Sequence, residues 1–283
     1  MSPRSGPTAR QRRLGTELRK LREHAGMTVA RAGEELGADR TRISNMEAGR
    51  LGMSEERVRT LAAIYSCADQ AYVDALVAMA VERVHGWWEE YRGKLPAGAL
   101  DLAELEHHAV SLRTMQPMHI PGLLQTEDYA RAVFATAVPD LTAVEHRRRL
   151  SHRLKRRDVL DRDNPPQCTF LVHEAALRMR FGGAKVARGQ LEYLLEASER
   201  DNVTVRVIPF AAGGFPGAGA SVLYAAGPVP QLDTVQLDVA TGVALVDAET
   251  LVANYREVLD RTQGLSLSPG DTRDFVRDIV QQL

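Results

Sequence analysis

The sequence predicts an α+β protein, an all-α N-terminal helix-turn-helix bundle followed by a mixed α/β C-terminal domain of about five strands. Three observations carry that expectation. Short helical periods separated by glycine turns fill the first 66 residues, and β-branched runs with a strand period gather beyond Pro165-Pro166. Charge also changes sign along the chain: residues 1–65 hold 13 Lys and Arg against 8 Asp and Glu, the remainder 23 against 29. A basic front on an acidic body separates a part that meets polyanions from a part that does not.

Taken in order, residues 1–12 carry Pro, Gly, Ser and Arg without periodicity and read as a disordered basic arm. Residues 13–66 form the first domain. Leu14, Leu18 and Leu21 recur at helical spacing up to Ala25-Gly26. Thr28 is placed to cap a helix reaching Leu36, with Gly37 just past its end. Asp39 caps a third helix through Ile43 and Met46, stopped at Gly49, and Ser54 a fourth that buries Val58, Leu61, Ala62 and Tyr65. Residues 67–95 read as a linking helix, apolar from Asp69 to about Trp88.

Residues 96–283 form the C-terminal domain. Pro121-Gly122 breaks the chain, and Thr126 caps a helix through Tyr129 and Phe134. A strongly basic helix, Val144 to Leu160, reads as solvated or as facing the acidic body rather than as a second phosphate-contacting surface. The strands are CTFLVHE, VTVRVIPF, SVLYAA, TVQLDV and GVALVD, with helices at 187–198 and 248–261. Ser268-Pro269, a cap followed by a proline at the first helical position, opens the last helix.

Composition removes several function classes. With 44% hydrophobic and 26% charged residues the chain has the make-up of a globular protein, and no apolar run approaches the roughly 18 residues of a membrane helix. The basic N-terminus has no apolar segment of signal-peptide type. The expected location is cytoplasmic and nucleoid-associated, with no membrane partner. Cys67 and Cys168 form no CxxC pair, so neither a disulfide framework nor a cysteine-rich zinc site is expected. His107 and His108 are adjacent and His146 and His152 six apart, poor spacings for one metal, so no metal is assigned. The stretch AAGGFPGAGAS at 211–221 ends in no GK[ST] and contains no GxGxxG; it reads as a flexible connection, and no cofactor is assigned. His173-Glu174 is the best acid–base pair on offer, but no nucleophile stands at a fixed spacing from it. No catalytic residue is assigned and no enzyme is expected.

The second and third helices carry the functional expectation. Joined across a glycine turn, they outline a helix-turn-helix in which Ala32 and Gly33 allow close crossing. Ile43 and Met46 would anchor the recognition helix. Arg40, Thr41, Arg42, Ser44 and Asn45 supply groups that donate to or accept from base edges. Thr28 and Arg50 stand at helix edges, where phosphate contacts fall. Double-stranded DNA is therefore the expected partner.

The segment LRKLREHAGMTVARAGEELGADRTRISNMEAGR resembles the phage-repressor-like helix-turn-helix of the xenobiotic-response-element type. The shared frame is Leu18, Leu21, Gly26, Thr28, Leu36, Gly37, Ile43, Glu47 and Gly49. Two positions depart from it. Val29 stands where many relatives have a glutamine that touches the DNA backbone, and Ala32-Gly33 replaces the usual Leu-Ala, which implies a slightly looser core. Beyond it, WWEEY at 87–91, IPGLLQTEDYARAV at 120–133, HEAALRMRFGG, QLEYLLE, NVTVRVIPF and SLSPGDTRDFV resemble a set of actinobacterial regulators with an uncharacterised C-terminal domain. The resemblance implies a transcriptional regulator and a small companion protein encoded nearby. We expect a sequence-specific DNA-binding regulator acting as a homodimer, its C-terminal domain dimerising and sensing a small-molecule effector or the companion protein. The alternative is an antitoxin-like interaction module that binds the companion protein and autoregulates its own operon.

Overall fold

The computed structural model describes residues 6–82, 86–239 and 242–283, which fall into two compact units, Met1–Trp87 and Trp88–Leu283. Among the described residues the N-terminal unit holds five α-helices: α1 (Ala9–His24), α2 (Val29–Leu36), α3 (Arg40–Glu47), α4 (Glu55–Ile64) and α5 (Gln70–Val81). Local chemistry starts each one. Thr8, Thr28, Asp39, Ser54 and Asp69 each accept a hydrogen bond from a first-turn N–H, which satisfies a donor the helix cannot. Leu18, Ala32, Ile43, Met46, Val58, Leu61 and Leu76 are buried between the helices.

Two expectations for this unit change. The disordered arm over 1–12 is overturned at its end, because Thr8 and Gln11 form a reciprocal capping box and the helix begins at Ala9; residues 1–5 lie outside the described residues. The linking helix also stops early. Its apolar run ends at Val81 and Glu82 is extended, with 83–85 outside the described residues and Trp87–Tyr91 a 3-10 turn.

Close approach of α1 to the end of α3 demands glycine twice. A Cβ on Gly15 would lie 2.3 Å from the Glu47 carbonyl oxygen. Gly49, at φ +69°, would bring its Cβ within 2.6 Å of the Gln11 carbonyl oxygen.

The C-terminal unit opens with α6 (Ala97–His108) and β1 (Ser111–Gln116), then α7 (Glu127–Phe134) and α8 (Ala143–Arg156). Next come β2 (Gln167–His173), α9 (Glu174–Arg178), α10 (Ala184–Ala197) and β3 (Val203–Ile208). The antiparallel strands β4 (Val222–Ala226), β5 (Thr234–Val239) and β6 (Gly242–Val246) precede α11 (Glu249–Leu265) and α12 (Pro269–Gln281). The sheet has six strands in the order β3-β2-β1-β4-β5-β6, parallel across β1, β2 and β3 and antiparallel from β1 through β6. One core gathers Leu112, Phe170, Val172, Val205 and Leu223 with Leu191, Leu194, Val276 and Ile279. The other gathers Met115, Leu171, Val222, Tyr224 and Val235 with Val252 and Leu259.

The sixth strand is β1, which lies inside the sheet but reads poorly as a strand because Arg113, Thr114 and Gln116 interrupt its apolar pattern. Two of those polar side chains have long-range partners. Arg113 pairs with Asp260 of α11 at 2.7 Å, and Gln116 accepts from the Ser221 hydroxyl at 2.9 Å.

Gly15→Ala tests the packing of α1 on α3. Alanine favours a helix interior by roughly 1 kcal/mol over glycine, but here the added methyl meets backbone, and overpacking costs about 1–3 kcal/mol. Denaturant unfolding of the full chain is expected to show net destabilisation; an unchanged or raised midpoint would contradict the packing.

Candidate nucleic-acid interface

Burial decides which face of α3 is available. Ile43 and Met46 are turned into the core. At 100° per residue, the middle of the opposite face is then Thr41, Ser44 and Asn45, with Arg40 and Arg42 on its flanks. Arg40, Thr41, Arg42 and Ser44 are exposed and Asn45 is half-buried, its carbonyl accepting the Arg50 N–H at 2.9 Å. Thr28 and Arg50 are exposed as well. The Thr28 hydroxyl oxygen accepts from the Arg31 N–H at 3.1 Å as the cap of α2. The turn between the helices is tight: Ala32 is fully buried, and a Cβ on Gly33 would lie 2.7 Å from the Ala38 carbonyl oxygen. Close backbone approach, not a loose core, explains the small pair Ala32-Gly33.

The end of α3 is held by an ion pair. Arg22 of α1 donates from Nε and Nη2 to both oxygens of Glu47, at 2.6 and 3.0 Å, and from Nη1 to the Met27 carbonyl at 2.7 Å. Both side chains are less than a tenth exposed. Bonding to Glu47 holds the Arg22 guanidinium above its ordinary pKa despite burial. Nearby, buried Glu17 accepts from Arg13 at 2.7 Å, Lys20 at 2.8 Å and the Tyr72 hydroxyl at 2.5 Å.

Electrostatics separate the arginines of this unit into two sets. Arg13, Arg19, Arg31 and Arg59 each find a carboxylate three or four residues away on their own helix, and Arg22 finds one 25 residues away. Among the described residues, no side chain pairs with the guanidinium of Arg40, Arg42, Arg50 or Arg57. The acid three residues before Arg42 is Asp39, whose Oδ1 accepts the Arg42 backbone N–H at 2.7 Å. The acid three residues before Arg50 is Glu47, already taken by Arg22. Arg57, in the first turn of α4, is a candidate the sequence reading missed. Its signal was legible in principle, since no acid stands three or four residues to either side.

In the C-terminal unit the catalytic-looking and basic motifs turn out to be occupied. His173 caps α9, its Nδ1 accepting the Ala175 N–H at 3.3 Å, while Glu174 accepts from Arg178 at 2.6 Å and from the Phe210 N–H at 2.8 Å. In α8, Arg156 and Glu106 make a buried bidentate pair at 2.7 and 2.6 Å, and Arg153 donates to Gln125 at 2.5 Å. Lys155 pairs with Glu90 at 3.3 Å. Of the Arg and Lys side chains of that helix, only Arg147 and Arg148 are exposed. The stretch 211–221 is anchored rather than merely flexible: the Pro216 carbonyl accepts from Thr262 at 3.2 Å, and Phe215 packs on the second core. Burial, with Arg156 and Arg153 beside it, drives the His152 imidazole down to about 3. Both cysteines are free thiols. Among the described residues, no cluster of three or more His, Cys, Asp or Glu is placed to hold a metal, and no helix is long and apolar enough to cross a membrane.

Comparison with known families places both units. A helix-turn-helix domain matches residues 13–76. A domain of unknown function (DUF5753) matches residues 99–278, more than half of the chain, and the chain belongs to that family. No curated protein and no solved structure matches it. The helix-turn-helix match supports DNA binding by the N-terminal unit.

Two outcomes follow. Glu47→Gln leaves Arg22 buried without its counter-charge and is expected to cost about 3 kcal/mol, whereas Arg22→Leu combined with Glu47→Leu recovers much of the loss; equal stability of the wild type and Glu47→Gln would contradict a structural pair. For His152, the folded pKa lies below the unfolded one, so its contribution is intact above pH 6.5 and is lost as pH falls toward 3. Denaturant unfolding should show stability falling over that window by up to about 1.4 kcal/mol per pH unit from this residue. His152→Phe should flatten that slope, and an unaltered slope would contradict the assignment.

Proposed function

We propose that the chain is a sequence-specific transcriptional regulator of the xenobiotic-response-element type whose N-terminal unit reads duplex DNA through α3. One observation carries the reading. Within a helix-turn-helix, and among the described residues, the guanidiniums of Arg40, Arg42, Arg50 and Arg57 find no counter-charge, whereas those of Arg13, Arg19, Arg22, Arg31 and Arg59 do. These four cations, three of them exposed and Arg57 half-buried, lie between residues 40 and 57 on α3, just after it and at the start of α4, and are suited to phosphate and guanine edges.

In this reading Arg42 donates to a base edge, Thr41, Ser44 and Asn45 face the groove floor, and Thr28, Arg50 and Arg57 meet phosphates. The chain acts in the cytoplasm as a homodimer on two half-sites about one helical turn apart. Its C-terminal unit supplies the dimer contact and responds to an effector or companion protein. It catalyses no reaction.

Selection of bound duplexes from a random pool tests the assignment. The wild type is expected to enrich a two-fold motif. Arg42→Ala should lose about 1–3 kcal/mol at one base position of each half-site, and Arg57→Ala should weaken all sequences alike and lower the salt dependence by about one ion. Enrichment of the same motif by Arg42→Ala with undiminished discrimination would overturn the base-reading role.

A further inference from the structure

The two edges of the sheet are treated differently by the chain. At the β3 edge the outward backbone groups of Val207 are both engaged. Its N–H donates to the Thr272 hydroxyl at 3.0 Å, and its carbonyl accepts from the Leu267 N–H at 2.8 Å. Arg206 beside it bonds to the Ser266 hydroxyl at 2.9 Å. Leu267 and the first turn of α12 therefore occupy that edge at Val207.

At the other edge, β6 pairs with β5 alone. Among the described residues, nothing bonds to the outward N–H and C=O groups of 242–246. The strand also lacks the devices that normally protect an edge. Gly242-Val243-Ala244-Leu245-Val246 contains no charge, no proline and no polar side chain. A continuous apolar run of this kind is the signature of a strand inside a sheet, yet no residue of it is fully buried and Leu245 is 36% exposed.

We propose that β6 is the seam of a homodimer, in which it pairs antiparallel with β6 of a second copy about a two-fold axis. The inference gives a location to the dimer of the preceding section and rests on that reading. Three physical points select a second copy as the occupant. Antiparallel pairing of a strand with itself is isologous and uses up the open edge of both partners. Because Val207 is already engaged, β6 of another copy cannot pair along the full β3 edge, which disfavours head-to-tail growth. An uncharged strand opposes no like charges when it meets its own copy, and it offers nothing for an acidic or basic peptide to recognise.

Sedimentation of the full chain tests this, comparing the wild type with Leu245→Lys, which places a charge in the seam on an exposed position. The wild type should sediment as a dimer and Leu245→Lys as a monomer with unchanged far-UV circular dichroism. That variant should bind a single half-site as the wild type does but lose about a hundredfold in affinity for the paired site. A monomeric wild type, including one that dimerises only when another protein adds to the edge, would overturn the proposal, as would a folded Leu245→Lys dimer. Should Leu245→Lys unfold, Leu245→Cys in a Cys67→Ser background decides: a short bismaleimide gives a covalent dimer if β6 is the seam and none if it is not. A β6 dimer that selects no DNA motif would leave the seam standing and remove the DNA-reading assignment; a motif selected by a monomer would do the reverse.

Discussion

A guanidinium and a carboxylate taken out of water, Arg22 of α1 and Glu47 at the last turn of α3, tie the first helix to the third. Burying two charges is unfavourable unless the geometry repays desolvation, and here it is bidentate with a third bond to the Met27 carbonyl. The pair has two consequences. It fixes the C-terminal end of α3 together with the glycine contacts at Gly15 and Gly49, which leaves the N-terminal half of the helix facing outward. It also removes Glu47 as a counter-ion for Arg50, which remains exposed and charged.

The same economy of counter-charges runs through the N-terminal unit. Acids placed one helical turn from Arg13, Arg19 and Arg31 neutralise the faces of α1 and α2. Asp39 sits one turn before Arg42, but its carboxylate is committed to capping α3. Capping and ion pairing thus compete for the same few acids. Their division leaves uncompensated positive charge on and after α3. In the C-terminal unit the distribution is the opposite. Arg156 and Lys155 are matched by Glu106 and Glu90, and Arg153 is held by Gln125, so the basic appearance of α8 in the sequence translates into internal bonds along its C-terminal half.

Much of the N-terminal unit was legible because its determinants are local. Thr28, Asp39 and Ser54 announce their helices within four residues, and the alternation of Ile43 and Met46 with polar neighbours states which face of α3 is free. What escaped depends on contacts between distant residues. The partner of Arg22 is 25 residues away, and the need for Gly15 arises only when α3 arrives beside it. Strand β1 was hidden because Arg113 looks wrong inside a sheet until Asp260, on a helix near the other end of the chain, is brought to 2.7 Å from it. Arg57 was missed for a different reason: what marks it is a lack of acids at helical spacing, which residue-type motifs do not register.

Among the described residues Arg40, Arg42, Arg50 and Arg57 stand without counter-ions, and in the proposed function they meet DNA. Phenylglyoxal modification of arginines, read residue by residue by mass spectrometry with and without bound duplex, tests that role most directly. Duplex is expected to protect these four while Arg147 and Arg148 of α8 react equally in both states. Unchanged reactivity of the four in a chain shown to be bound, with protection appearing on α8 instead, would contradict it.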